Sequence, residues 1–453
     1  MIHQVFFSLL LIFLPTQLGY HFWPEWAMVL GRRVDYLAPT IYLTDILVGL
    51  TIFFWGLESV NRIMKYELGI MVRIHKVTSF VIHNSRFIIL LLALVVINIF
   101  VATNRPVAVY KWLKAGEFVL LGWYIVRTKP KLSAISFQLS VGVLYSSILA
   151  IAQFFFQHSI GGPLWWLGER TFAADTPGIA RYDFNVSLFT FHFSLFGLRP
   201  YATFPHPNVL GGFLAATLPL LLMSLMRPMG PMSQIKKRMY VIVLTAGVIA
   251  LILTFSRSAM VMGGAAIAVA IANIKNQKSK IKNTDQKSKR VKQIIFVGIA
   301  IAIVYLLSSV FHLQILQRGE ESVVVRQQLN NAATKLWTSS PLFGVGLGNF
   351  LVRLPEVLPS RTIYFLQPVH NIYLLLLSEI GIVGIGLIVF LIANLLNHES
   401  GIMKHGKDKT KFIIHTSLFI ILLLGLFDHY PLTLQQGQLL LTVLAGMSLT
   451  FVH

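Results

Sequence analysis

The sequence predicts an all-α fold, a polytopic transmembrane helical bundle of roughly twelve spans, and three observations carry that prediction. Mean hydropathy is +0.71 and only 12% of the 453 residues are charged, about half the charged fraction of a soluble domain. Apolar runs of roughly 18–22 residues, each long enough for a ~30 Å hydrocarbon core, recur from end to end. No soluble domain and no internal repeat interrupts them, so residues 1–453 read as a single transmembrane domain.

In chain order the runs centre near Phe13, Val48, Leu94, Phe118, Val143, Leu218, Val248, Ala266, Val304, Val383, Leu422 and Leu440. The first, "VFFSLLLIFLPTQLG", has no basic segment before it and no small-x-small cleavage pattern, so it reads as a retained helix rather than a secretory signal. The absence of cysteine excludes disulfides, thiolate metal sites and cysteine nucleophiles. A net charge of +21 raises the question of nucleic acid. The densest basic run, "KNQKSKIKNTDQKSKR", lies between two apolar segments, where a cytoplasmic loop is expected, and nucleic acid is set aside.

Lysine and arginine are divided unequally between alternate loops. The loops holding Arg62 to Lys76, Arg127 to Lys131, Arg227 to Arg238, Lys275 to Lys292 and Lys404 to Lys411 carry most of them. The positive-inside rule then puts both termini in the cytoplasm and the remaining loops outside. The basic residues of those outward loops are all arginine except Lys335. A guanidinium binds phosphate oxygens in a bidentate way and keeps its charge when partly desolvated, so an arginine-rich outer face points to a phosphate-bearing lipid. The alternative is that these arginines cap helices or pair with Asp175, Asp183, Glu320 and Glu321.

Two outward loops are long, about residues 156–202 and 313–369, and too aromatic for disorder; a cap lying on the membrane is expected. In the second, Val325, Leu329, Ala332 and Leu336 fall on one helical stripe, which would hold Arg326 at headgroup depth with Trp337 as an anchor. "GVGLGNF" lacks the strand–turn–helix context of a nucleotide loop and reads as a tight re-entrant turn. Pro205 and Pro207 fix an extended approach to the sixth span, holding His206 and Asn208 at the outer surface, with Arg199 just ahead of them. "TFSRSAM" joins two spans almost without a loop, so Arg257 is pinned near the outer headgroups.

Together "ATFPHPN", "TFSRSA", "PLFGVGLGNF" and "HNIYLLLLSEIGIVG" resemble bacterial O-antigen ligases and O-antigen polymerases, over about residues 198–395 including the loop 313–369. The ligase-type signature is His, then Asn, Ser or Gln, nine residues, Gly, two residues, Gly. His370-Asn371 and then Gly381 and Gly384 match it in full. The resemblance implies a membrane-embedded, inverting glycosyltransferase of the C type. It would transfer a glycan from undecaprenyl diphosphate to a hydroxyl acceptor (lipid, glycan or protein) at the outer face of the inner membrane, with no metal and no cofactor. The signature histidine falls on His370, and the diphosphate-holding arginines on Arg257 and Arg326. A ligase pattern of Arg, three residues, Leu is not met at Arg326, where the leucine comes at Leu329, and this departure weighs toward a polymerase.

The chemistry read from the residues agrees. A glycosyl diphosphate already carries its leaving group, so the protein must neutralise the departing diphosphate and take a proton from the attacking hydroxyl. No Asp-x-Asp pair stands in an outward loop to hold a metal, which leaves the arginines Arg257, Arg326 and Arg199 for the diphosphate. Imidazole exchanges a proton near neutral pH, which suits His370 for the base. Asn371 positions substrate or caps its helix. Glu379 is about 13 Å further along that helix and reads as structural. Asp428 and His429 in "FDHYP" stand at another outward helix end and, with His206 and Asn208, are candidates to line the same cavity. The competing class is a lipid-glycan flippase or other secondary transporter, for which Lys111, Lys114 and Glu117 inside the fourth span are the best support.

Overall fold

The structure, a computed structural model, describes residues 1–65, 89–188, 191–226, 234–279, 323–358, 366–397 and 408–450. The span centred on Val304, most of the basic run after Ser279, and Arg318, Glu320, Glu321 and Arg361 lie outside the described residues.

The described chain is mostly helical. Its helices are α1 (Ile2–Ile12), α2 (Leu43–Lys65), α3 (Ile89–Val101), α4 (Arg105–Thr128), α5 (Leu132–Phe156), α6 (Pro207–Met226), α7 (Gln234–Leu253) and α8 (Arg257–Ser279). There follow α9 (323–339), α10 (Phe350–Val357), α11 (Ile372–Asn397), α12 (Asp408–Leu424), α13 (Tyr430–Thr433) and α14 (Gln435–Thr450). Among the described residues, helix runs through or abuts every expected centre. Among the described residues four helices, within α2, α5, α6 and α11, are both long and apolar enough to cross a membrane. The first run differs from expectation. Helix α1 has 11 residues and stops at Ile12, ahead of Pro15, whose ring removes the next backbone donor.

Beside a core of large apolar side chains such as Leu121, Phe204 and Phe213, the bundle buries several hydroxylic residues and leaves other large apolar ones exposed. Ser136, Ser140, Ser146, Ser147 and Thr217 are buried, whereas Phe53, Leu113, Phe390 and Phe419 are exposed. That distribution suits a hydrocarbon solvent, in which close backbone approach and internal hydrogen bonds hold helices together. Helix α6 is the centre, packed against α7, α8 and α12. A Cβ on Gly211 would stand 2.9 Å from the Ala259 side chain, and one on Gly212 would overlap the Tyr430 ring. Those two glycines therefore let α8 and the segment before α14 close onto the start of α6.

The charged cluster in α4 is locally neutralised. Lys114 donates to Asp45 at 2.7 Å and to Glu117 at 2.8 Å, and Gln435 donates to Asp45 and to Thr44. The cluster ties α2, α4 and α14 together, and its bonds favour a structural role over a translocation path.

Loops at one end of the bundle form a cap around a second apolar cluster. Ala27, Val29, Val34 and Leu37 of the N-terminal loop pack there with Leu329 and Leu336 of α9, Phe350 and Leu354 of α10, and Val369. The expected stripe on α9 is thus the buried face, with Arg326 and Trp337 half-buried beside it. The other long loop corrects the all-α expectation: Arg181–Leu188 and Phe191–Leu198 pair as an antiparallel hairpin. Strict polar–apolar alternation along "RYDFNVSL" favours the strand.

"GVGLGNF" is a turn docked on α11, as expected. Val345 N–H donates to the Ser378 carbonyl at 2.9 Å and Gly346 N–H to the Glu379 carbonyl at 3.0 Å. Gly381 interrupts the helical backbone at φ 66°, and a Cβ there would lie 2.3 Å from the Leu342 carbonyl oxygen. Gly344, at φ 68°, approaches Glu379 as closely. Glu379 itself is buried and accepts the Phe350 N–H at 3.3 Å, a structural place.

Candidate active site

The ends of α5, α6, α7, α8, α11 and α12 that face the cap converge on one polar cluster. Its spine is a hydrogen-bonded chain. Arg199 donates from Nε to the Thr254 carbonyl at the end of α7 and from Nη2 to Asn208 Oδ1, both at 2.7 Å. Asn208, near the start of α6, donates its amide to Asp428 Oδ2 at 3.1 Å. The amide thus offers oxygen to a cation and nitrogen to an anion, which fixes its orientation. Asp428 Oδ1 accepts the His429 backbone N–H at 2.8 Å and lies 3.6 Å from His370 Nδ1. His370 immediately precedes the cap of α11, with Asn371 as that cap: its side-chain oxygen accepts from the N–H groups of Tyr373 at 2.9 Å and Leu374 at 3.1 Å.

His429 stacks obliquely on His370, ring centroids 5.1 Å apart, and receives the edge of Tyr36 at 5.4 Å. Thr433 Oγ1 lies 2.6 Å from His429 Nδ1 and 3.0 Å from the His429 carbonyl. In the tautomer whose Nδ1–H donates to Thr433, the hydroxyl donates to the carbonyl and Nε2 carries the lone pair. His206 is oriented likewise: its Nδ1 accepts the Asn208 N–H at 3.1 Å.

Burial sets the charge states. It pushes the His429 imidazole down to about 4 against the pull of Asp428, and His206 down to about 3 with the help of Arg199, so both are neutral at pH 7. Burial alone would raise the Asp428 carboxyl, but His370 and His429 beside it draw it well below the usual carboxylate range. Burial lowers Arg199 to about 10, which leaves it protonated. Burial raises the Tyr36 hydroxyl, and Asp428 adds to the effect.

Arg257 and Arg326 lie close enough to repel one another, and Arg326 acts on His429 while Arg257 acts on Arg199. Arg199 thus acts on Asp428 and Arg326 on His429, and Arg257 stands beside both of those arginines. Two neighbours were not singled out by sequence reasoning. Tyr36 arrives from the N-terminal loop, and Arg170 acts electrostatically on Tyr36 and Tyr201. Arg170 is placed by its neighbour Glu169, a buried carboxylate that accepts from Gln153, Ile160 N–H and Gly161 N–H. Among the described residues, His370, Asp428 and His429 also have the spacing to hold a metal ion, one atom from each within 4.8 Å of the others.

Residues 241–389 match the family model described as O-antigen ligase. The chain carries an O-antigen ligase family domain. Members of this family act in glycan transfer on lipid-linked glycan and acceptor substrates, as membrane proteins. No curated protein matches the chain. The O-antigen ligase domain contains Arg257, Arg326, His370 and Asn371; Arg199, His206, Asn208 and Asp428 lie outside it and are brought to it by the fold.

Proposed function

We propose that the chain is a metal-independent glycosyltransferase of the inner membrane, with about twelve spans in a C-type fold and both termini in the cytoplasm. It transfers a glycan from undecaprenyl diphosphate to a hydroxyl acceptor at the outer surface. The observation that carries this reading is the placement of His370 beside the ionised Asp428, in a cluster on which Arg199 and Arg326 act, at the bundle end under the cap.

Asp428 Oδ1, 3.6 Å from His370 Nδ1, favours hydrogen on that ring atom by charge, across a gap longer than a hydrogen bond, which leaves Nε2 to accept a proton. Asp428 also stabilises the imidazolium once it forms, as carboxylates do beside catalytic histidines elsewhere. The acceptor hydroxyl gives its proton to His370 Nε2, its oxygen bonds to the anomeric carbon, and the diphosphate leaves with the electron pair of the broken C–O bond. Arg257 and Arg326 neutralise that leaving group. Arg199 supports them while linking Asn208 and Asp428 to α7.

Ligase and polymerase need the same base and the same clamp, and differ in the acceptor. Purified protein incubated with lipid-linked repeat units alone separates them: absence of chain growth, with transfer on adding a lipid acceptor, is the expected ligase result. Chain growth without added acceptor makes the protein a polymerase. Transport of the lipid-linked glycan across vesicles with no transfer in either assay would replace the enzyme reading by the flippase reading.

A further inference from the structure

The cluster that orients His370 has a second property, set by the same three atoms. Asp428 Oδ1, 3.6 Å from His370 Nδ1 and 4.0 Å from His429 Nε2, is beyond hydrogen-bond reach of both rings. His370 Nδ1 is buried and has no hydrogen-bond partner. Asp428 Oδ1 presents a lone pair, and so does His429 Nε2 in the tautomer that donates to Thr433. Two electron-rich atoms held facing one another lower their energy by sharing a cation.

The separations suit one kind of cation. Ligand atoms about 2.0–2.1 Å from a tetrahedral zinc ion stand about 3.3–3.5 Å from each other. His370 Nδ1 and Asp428 Oδ1 are near that separation at 3.6 Å, and a rotation of the His429 ring, whose Nε2 is 4.0 Å from Oδ1 and within 4.8 Å of His370 Nδ1, closes the site. The supporting contacts are those of a metal centre. His429 donates its other ring N–H to Thr433, and the far oxygen of Asp428 accepts from Asn208. Two nitrogens and one oxygen are borderline ligands, which select zinc-class ions over magnesium. The arginines nearby, Arg199 and Arg326, oppose any cation and so reinforce the requirement for strong ligand bonds.

We propose that His370, Asp428 and His429 form a binding site for a zinc-class divalent cation, separate from the metal-independent transfer. The binding stands on this geometry alone. Its consequence rests on the reading of His370 as the base. A metal on Nδ1 sends the ring hydrogen to Nε2 with no net proton lost, and Nε2 then has no lone pair for the acceptor hydroxyl. Occupancy switches transfer off.

The test uses purified full-length protein in nanodiscs without glycan substrate, so that a failure of the transfer reading does not touch it. Equilibrium binding of radioactive zinc should show one tight equivalent, unaffected by excess magnesium. His429→Gln should weaken that equivalent by about tenfold or more, and His158→Gln, at an exposed position, should not. Cobalt added to the wild type should give the intense visible absorption of a tetrahedral site, a reading that does not depend on any variant folding. Tight binding that survives His429→Gln, no tight equivalent, or only the weak absorption of six-coordinate cobalt would each overturn the proposal.

Discussion

His370 combines two demands on a single side chain. Its Nδ1 must carry the ring hydrogen, which the Asp428 carboxylate 3.6 Å away favours by charge, and its ring must stay open to substrate, which an 18% exposed side chain permits. Loss of a general base typically slows a reaction by about 10²–10⁴-fold. His370→Ala should therefore insert and bind the glycan lipid while transferring that much more slowly. His370→Gln keeps hydrogen bonding without basicity and should fail similarly. Near-normal transfer by both variants in a reconstituted assay excludes the base role. The arginines make a different prediction, since they act on the donor in binding as well as in departure. A charge-assisted hydrogen bond contributes about 1.5–3 kcal/mol, and lysine loses the bidentate fork. Arg257→Lys and Arg326→Lys should each weaken binding of an undecaprenyl-diphosphate glycan by about tenfold or more. Unchanged affinity in both would make them structural.

At the scale of elements, the signature glycine is explained by a crossing rather than by chemistry. Loop 341–350 passes across the backbone of α11 at Gly381, and the two chains approach within the space a Cβ would occupy. Gly381→Ala should destabilise the protein by more than about 2 kcal/mol, because the residue has a positive φ and no neighbour that can yield. Gly386→Ala, in the same helix with open space at its Cβ, should leave thermal unfolding in detergent unchanged. Equal effects of the two would mean that the crossing does not constrain α11. How much of this was legible follows from distance along the chain. His370 and Arg257 stand in short motifs at the ends of apolar runs, so periodicity and punctuation located them. Asn208 and Asp428 are separated by 220 positions; the sequence put each at an outward helix end but contained nothing on their register. Tyr36 was invisible, since a tyrosine in an irregular loop has no pattern. The hairpin after α5 did have one, the alternation of "RYDFNVSL", which the reading of that loop as a membrane-lying cap left unused.

At the scale of the whole molecule, the site and the basic loops must lie on opposite sides of the membrane if the chemistry is to use a donor delivered outside. The helices fix their relative placement. The segment between α4 and α5, with Lys129 and Lys131, leaves the bundle at the end opposite Asn104 and Phe156, where the cap and His370 lie. The natural chain has no cysteine, so single cysteines report without background. Lys131→Cys and Thr338→Cys place one at each end, both on exposed residues and neither in the polar cluster. In intact cells, a membrane-impermeant maleimide should label Thr338→Cys alone, and Lys131→Cys should become reactive only after permeabilisation. Labelling of Lys131→Cys from outside with Thr338→Cys protected would invert the bundle. His370 and its arginines would then face the cytoplasm, where the acceptor and the finished glycan do not meet, and the proposed transferase would have to give way to an enzyme acting on the cytoplasmic leaflet.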